Sequence, residues 1–408
     1  MSDVKNIPDG WLETTLGEII ERITKGTTPK KFSFIKEDVN YIKSNALNYE
    51  GFLEKNKFVK ISKEINEKLK RSQLKINDIL LSMAGEYLGK TGLVKEEHLP
   101  ANTNQAVAII TVNKKVVNHT FLWYKFRDSN TVKYFKSLPS QSAQPNINFQ
   151  EIKTLLIHLP SIPEQKAIAD ILTAFDDKIE NLQAQNKTLE TIAQTIFKEW
   201  FGKYQVGDEL PEGWRVGKLG EVGTIITGKT PSKNNPDYWG EKYSFITPTD
   251  FKEFGMYATK THRNLSLNGW VKMKKNQLPL NTIMVTCIGS DMGKIAISSK
   301  ECITNQQLNS IILFHDIHLG FVYQYLKSQH TKLKNIAMGG STMPIINKTT
   351  FSNIELLIPA DILTKKYQEM WNPISAKILQ NVNQIQTLKK TRDTLLPKLM
   401  NGTIRVKK

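Results

Sequence analysis

The sequence predicts an α+β protein: two homologous mixed α/β domains in a pseudo-twofold arrangement, separated by two long antiparallel coiled-coil helices. Three observations carry this. The chain is written twice, each copy ends in a long run of heptad-spaced apolar residues, and each run holds a single asparagine within its series. At 408 residues there is room for several buried cores.

The first domain is expected over residues 1–158 and the second over 205–358. "IPDGWLETTLGEII" from Ile7 returns as "LPEGWRVGKLGEVG" from Leu210, matching Trp11 to Trp214 and Leu16-Gly17-Glu18 to Leu219-Gly220-Glu221. "TKGTTPK" returns as "TGKTPSK", so Pro29 matches Pro231. "NDILLSMAGEYLGK" from Asn77 returns as "NTIMVTCIGSDMGK" from Asn281, and "TNQ" recurs at Thr103 and Thr304. "FLWYKF" at Phe121 pairs with "FVYQYL" at Phe321, and the stretch from Gln144 pairs with the one from Met343. The offset falls from 203 (Trp11 to Trp214) to 199 (Gln144 to Met343), so the gaps are small enough to sit in loops of one duplicated fold.

Between the domains, residues 159–204 read as a first spacer helix. Leu172, Phe175, Ile179, Leu182, Leu189, Ala193 and Ile196 alternate by three and four, with Asn186 in the series, and Glu164 follows Pro163 in the first turn. Residues 359–408 repeat the pattern at offset 199, through Trp371, Ile374, Ile378, Asn381, Ile385, Leu388, Arg392 and Leu395, with a stop at Asn401-Gly402. Antiparallel pairing puts Leu182 against Ile385, Asn186 against Asn381 and Leu189 against Ile378. Paired asparagines penalise slipped registers. The poor layer is Phe175 with Arg392, tolerable if the guanidinium reaches solvent. About 37 helical residues span roughly 55 Å, on the order of 16 base pairs of duplex.

The formal charge of +17, from 56 Lys plus Arg against 39 Asp plus Glu, points to a polyanion partner, most often nucleic acid. Cys287 and Cys302 offer neither a disulfide framework nor a metal cluster. No run of 18 apolar residues is present and the polar start lacks a signal core, so a cytoplasmic protein without a membrane partner is expected.

One stretch asks whether the chain hydrolyses nucleotide. "AGEYLGKT", Ala84 to Thr91, is a relaxed phosphate-loop pattern after the apolar Ile79–Leu81. Its second copy puts Ile288 and Ile295 where Ala84 and Thr91 stand, and "TGLVK" follows the lysine where a helix should open. Both copies therefore read as strand–turn–strand elements presenting Lys90 and Lys294. "NNPDYW" at Asn234 resembles a methyltransferase tetrapeptide, but Asp237 stands where proline is needed. The seven histidines show no metal spacing.

The sequence resembles the specificity subunits of Type I restriction–modification systems over essentially the whole chain. The resemblance rests on the duplicated Gly-Trp…Leu-Gly-Glu…Thr-Pro opening, "PSKNNPDYWG…FITPTDF", "IPEQKAIADIL" and the C-terminal "TLKKTRDTLLPKLMNGTIRV". It implies a non-catalytic reader of double-stranded DNA. Two target recognition domains each read half of a bipartite, asymmetric site, and the helices set the gap. Two modification (methyltransferase) subunits dock on the helices, and restriction/translocase subunits join them. S-adenosylmethionine, ATP and magnesium would be bound by those partners, so this chain is expected to carry no catalytic, cofactor or metal residues. Apolar helix faces such as Ile168, Ile171 and Phe197 are expected to need such partners. A stand-alone two-headed DNA-binding regulator and a nucleotide-driven DNA enzyme are the alternatives.

Reading bases needs side chains that fork onto base edges beside others that anchor phosphates. The first-half candidates are Lys30, Lys31, Lys43, Asn45, Lys90, Asn104, Gln105, Gln141, Gln144 and Asn146. The second-half set is Lys229, Thr230, Ser232, Lys233, Thr247, Thr249, Asp250, Lys252, Lys294, Gln306, Gln307, Ser341 and Thr342. Each is also an ordinary turn residue. Tyr238 and Trp239 fit either a core or a sugar-phosphate wall. "YIKSNALN" stands where the second half has "FITPTDF", so the halves are unlike where each would read.

Overall fold

The computed structural model describes residues 7–30, 32, 38–138, 145–289, 292–338 and 345–406. It forms two compact units, residues 1–178 with 388–408, and residues 179–387.

The first unit opens with a strand, Leu12–Thr15, paired antiparallel with Leu156–Leu159. The repeated Leu-Gly-Glu that follows has a physical reason at each position. Leu16 and Leu219 are fully buried anchors. The carboxylates of Glu18 and Glu221 accept from the amides of Thr15 and Lys218, at 3.0 and 2.9 Å, satisfying donors at the mouth of a short helix. At Gly220 a Cβ would lie 2.3 Å from Ser352 Oγ, so any larger residue would have to turn that hydroxyl aside.

The main sheet of the first unit runs Ile20–Lys25, Val107–Val112, Ile79–Ser82, Thr91–Leu93, all antiparallel. "ILLS" is buried along its whole length because it lies between two neighbours, which explains its unbroken apolar run. A smaller sheet sets Val39–Ile42 between an antiparallel Val59–Ile61 and a parallel Ala101–Thr103. The second unit repeats both sheets in the same order, adding the short strands Trp239–Gly240 and Tyr257–Ala258. Asn77 and Asn281, equivalent in the repeat, both take positive φ, at 71° and 62°, a conformation asparagine tolerates.

Two helices of 40 residues each follow the domains: α1, Ile162–Phe201, and α2, Asp361–Met400. Within the second unit, Asn381 Nδ2 donates to Asn186 Oδ1 at 2.9 Å, and Tyr367 donates its hydroxyl to Ala193 O at 2.9 Å. Advancing along α1 thus means retreating along α2, so the strands of this seam are antiparallel. Leu182, Ile378 and Ile385 are buried there, and Leu189 is half-buried.

The seam in the first unit differs from the heptad expectation. Arg392 does not reach solvent. It is buried beside Asp176, to which it donates at 2.6 Å, and it also binds Asp393. Arg127 from the helix His119–Arg127 grips both oxygens of Asp176, and Tyr124 donates to it at 2.7 Å. Burial pushes the Asp176 carboxyl up, but the two guanidiniums outweigh it and hold the group below the usual carboxylate range. The helix faces also need correction. Ile168 and Phe197 are core residues, whereas Ile171 is 37% exposed.

The first unit closes on its C-terminal residues. Arg405 donates to both oxygens of Glu164, at 2.7 and 2.9 Å, and to Asp9 O at 2.7 Å, while Ile404 and Val406 pack on the same core as Trp11.

Candidate nucleic-acid interface

In both units, the loop before Pro29 or Pro231 lies on the loop containing "TNQ". Gly26 N donates to Asn104 O at 3.2 Å, and Lys229 N donates to Thr304 O at 2.9 Å. The same side-chain bridge then forms twice: Thr28 donates to Gln105 Oε1, and Thr230 donates to Gln306 Oε1 at 2.6 Å. Each bridge ties down an exposed glutamine through its amide oxygen. Lys30, Lys229, Ser232 and Lys233 are exposed around these bridges. Gln307 is turned the other way, with its Oε1 accepting from Asn305 at 2.8 Å.

Lys90 and Lys294 follow glycines of positive φ, Gly89 at 82° and Gly293 at 80°, which turn the chain from one strand into the next. The amides a phosphate loop would need are spent inside the turn: Leu88 N, Gly89 N and Lys90 N donate to Gly85 O, Ser82 O and Tyr87 O. Thr91 opens a strand and its buried hydroxyl donates to Leu80 O at 2.7 Å, so neither helix nor magnesium-binding hydroxyl is in place. The strand–turn–strand reading describes both copies.

Lys90 has companions that sequence spacing did not reveal. Its ammonium lies 4.4 Å from the Tyr87 ring and 5.4 Å from that of Tyr49, while Lys136 lies 4.5 Å from Tyr49. Two cations thus share an exposed tyrosine, an arrangement suited to phosphate on one side and a stacked sugar or base on the other. Lys43 sits 4.4 Å from the Phe32 ring. In the second unit, Arg263 lies 3.7 Å over Trp239, which also packs on Phe245 and donates a hydrogen bond to Ser232 O at 3.2 Å. Trp239 is therefore half core and half cover, and Arg263, in no motif, is the exposed cation there.

Asp250 is a correction among the candidates. Its buried carboxylate accepts from Thr247 N (2.7 Å), Thr247 Oγ1 (2.8 Å), His262 N (2.9 Å) and His262 Nδ1 (2.7 Å), leaving nothing for a base. Burial raises its pKa, but these donors prevail and hold it low, and in return Asp250 raises that of His262. Thr247, whose hydroxyl is spent on Asp250, is likewise part of the frame that carries the exposed Thr249 and Lys252. In the first unit Asn45 Oδ1 and Asn104 Oδ1 are buried without a hydrogen-bond partner among the described residues. Asn146 is exposed and bridged through its backbone to Ala84. Lys31, Gln141, Gln144, Ser341 and Thr342 lie outside the described residues.

Asn235 uses its side chain to cap Asp237 N at 3.0 Å, a turn rather than the wall of a methyltransferase pocket. Among the described residues no group of three His, Cys, Asp or Glu side chains is placed to hold a metal ion. Burial pushes the Cys287 and Cys302 thiols up to about 11 and about 12. No described helix is long and apolar enough to cross a membrane.

The family model for the Type I restriction modification DNA specificity domain matches residues 8–191 and 211–397. The HindI specificity subunit of Haemophilus influenzae is 29% identical over 470 aligned positions, covering 97% of this chain and 99% of its own. The MjaIX specificity subunit of Methanocaldococcus jannaschii is 27% identical, covering 99% of this chain and 96% of its own. The crystal structure of a Type I restriction–modification S subunit from M. genitalium superimposes with a TM-score of 0.62 at 16% identity, covering 98% of both chains.

Proposed function

Since the chain belongs to the family of Type I restriction–modification specificity subunits, we propose that it reads a bipartite, asymmetric DNA site for an adenine-methylating complex and performs no chemistry itself. Each domain reads one half-site through the loops around its Thr–Gln bridge and its glycine-turned lysine. α1 and α2 set the unread gap and receive two modification subunits, to which restriction/translocase subunits add. S-adenosylmethionine, ATP and magnesium belong to those partners.

The observation that supports this best is the duplicated loop pair with unlike surroundings. Thr28–Gln105 and Thr230–Gln306 are the same device. Beside this shared device one unit carries the cluster of Lys90, Lys136 and Tyr49, the other Arg263 on Trp239. A shared chassis with different fittings is what two readers of different half-sites require. The exposed Ile171 and Ile192 on α1 and Ile362 on α2 supply apolar surface for partner subunits.

The test is a map of methylated adenines in the native host with and without this gene. Loss of one bipartite motif supports the reading and reports the gap directly. An unchanged map in a host whose modification subunits are expressed removes it. Tight sequence-specific binding by the chain alone would favour a stand-alone regulator.

A further inference from the structure

One end of the smaller sheet in the second unit gathers the candidate loops. Tyr243–Ile246 runs parallel to Cys302–Thr304, and Asn305 N donates to Ile246 O at 3.0 Å. The loop from Thr247 and the loop holding the Thr230–Gln306 bridge therefore leave the sheet at the same end. Arg263–Leu265 runs antiparallel to Tyr243–Ile246 and begins opposite Phe245, which brings the residue before it, His262, to that end as well. There Nδ1 of His262 meets the buried Asp250 carboxylate at 2.7 Å, while the ring is 54% exposed. Bonding to a carboxylate makes Nδ1 the donor and leaves Nε2 as the free nitrogen of the ring. A carboxylate oxygen of the exposed Glu253 lies 3.4 Å from Nε2.

The first unit does without this pair. At offset 204 Ala46 stands for Asp250 and Phe58 for His262. The strand registers fix that alignment, since Tyr41 faces Val59 as Phe245 faces Arg263. Ala46 and Phe58 pack in one apolar cluster. An apolar contact serves at this position in the first unit, so the ion pair is not a requirement of the fold. The Asp250 carboxylate is already met by the amides of Thr247 and His262 and by the Thr247 hydroxyl. A charged ring therefore adds a cation at the surface instead of only cancelling a buried charge. The charged groups acting on it are Asp250, Glu253 and Lys260, and the hydrogen bond to Asp250 leads in holding the imidazole pKa above its ordinary value.

We propose that His262 is a phosphate anchor of the second recognition domain: aimed by Asp250, its imidazolium donates from Nε2 to a DNA phosphate oxygen, which displaces the Glu253 carboxylate. The inference rests on the DNA-reading assignment above. A ring with one nitrogen committed to Asp250 has a single donor left. That suits one anionic oxygen, whereas forked readout of a base edge needs two contacts. The contact exists only while the ring is charged. The first domain, with Phe58 at this position, has no counterpart to it.

The test compares full-length parent and H262N, each co-expressed with the modification subunits of the host. Both are titrated with a random-sequence duplex by fluorescence anisotropy over a salt series, well below and well above the His262 midpoint located by NMR. H262N is informative because its side-chain amide can still donate to Asp250 and keep the loop closed, while the charge and Nε2 are gone. Below the midpoint the parent should bind on the order of tenfold more tightly than H262N, with a salt slope of log K steeper by about 1. Above it the two should coincide. E253Q, freed of the competing carboxylate, should bind more tightly than the parent below the midpoint. An H262N protein that matches the parent below the midpoint overturns the proposal, as does a loss of equal size at both pH values, which would make His262 a brace alone. A changed second half-site in the H262N methylome overturns it in favour of base reading. A parent that binds no duplex at either pH sinks the DNA-reading assignment and this contact with it, an outcome distinct from a parent that binds and a variant that matches it.

Discussion

Replacing Asp176 with alanine removes a buried group shared by three elements of the first unit. The side chains of Arg127, Arg392 and Asp176 are only 2%, 4% and 5% exposed. Arg392 would keep Asp393, whose side chain is 62% exposed. Arg127 would keep the faces of Trp123, Tyr124 and Phe52, at 4.5, 4.6 and 5.5 Å, and no carboxylate among the described residues. Breaking a buried pair by deleting one partner costs about 3–5 kcal/mol, because a charge is left in a poorly solvated place. In a unit of this size each kcal/mol moves the midpoint by about 2–4 °C, giving a fall of roughly 6–20 °C. Because the Asp176 pKa is lowered on folding, its contribution is complete above a pH of about 4 and is lost as pH falls through the lowered value. Calorimetry of D176A and parent at pH 7 and below pH 3 should therefore show a large difference that shrinks in acid. The triple variant D176L/R127M/R392M, which removes the charges together, should recover most of the loss. A D176A midpoint within about 1 °C of the parent at pH 7 would refute the reasoning, since it would mean the guanidiniums find water or new partners at no cost.

Inserting one heptad into both long helices adds about 10 Å, at 1.5 Å per residue, and should lengthen the unread gap by about 3 base pairs; methylome sequencing reads this directly, and both half-sites should persist. Lys90→Ala should weaken DNA binding evenly across sequences and reduce the salt slope of log K by about 1, measured by fluorescence anisotropy over a salt series. A changed consensus would show instead that Lys90 reads a base. NMR titration should place the His262 pKa above its ordinary value, and D250N should return it there. Stabilisation through that imidazolium is present below a pH of about 6.5 and fades as pH rises through the raised value.

The repeat was legible because it fixes equivalence without any knowledge of geometry. Trp11 with Trp214, and Leu16-Gly17-Glu18 with its copy, proved to be anchors, close approaches and caps in the same places. Asn186 and Asn381 stood out because each is the polar exception in an apolar series. Arg392 stood out as the poor layer but was given to solvent, and Asp176 did not stand out at all, since heptad counting assigns charges to the outside and cannot see that Arg127, 49 residues before Asp176, arrives to neutralise it. Asp250 was misread for a related reason. A short loop rich in threonine and aspartate looks like an exposed contact, but His262 closes over the carboxylate from twelve residues away. The aromatic neighbours of Lys90 escaped notice because Tyr49 and Lys136 lie 87 residues apart and belong to no motif.

The division of the chain also governs its synthesis. Residues 179–387 form a continuous unit, whereas the first unit needs residues 388–408 to finish it. Arg392 and Arg405, which bind Asp176 and Glu164, are made more than 200 residues after their partners. At 5–20 residues per second the ribosome takes roughly 10–40 s to supply them. The domain that is translated first is therefore completed last. During that interval Asp176, Arg127 and the apolar surface around Trp11 await their covering, and the unit made second can fold before the first has closed.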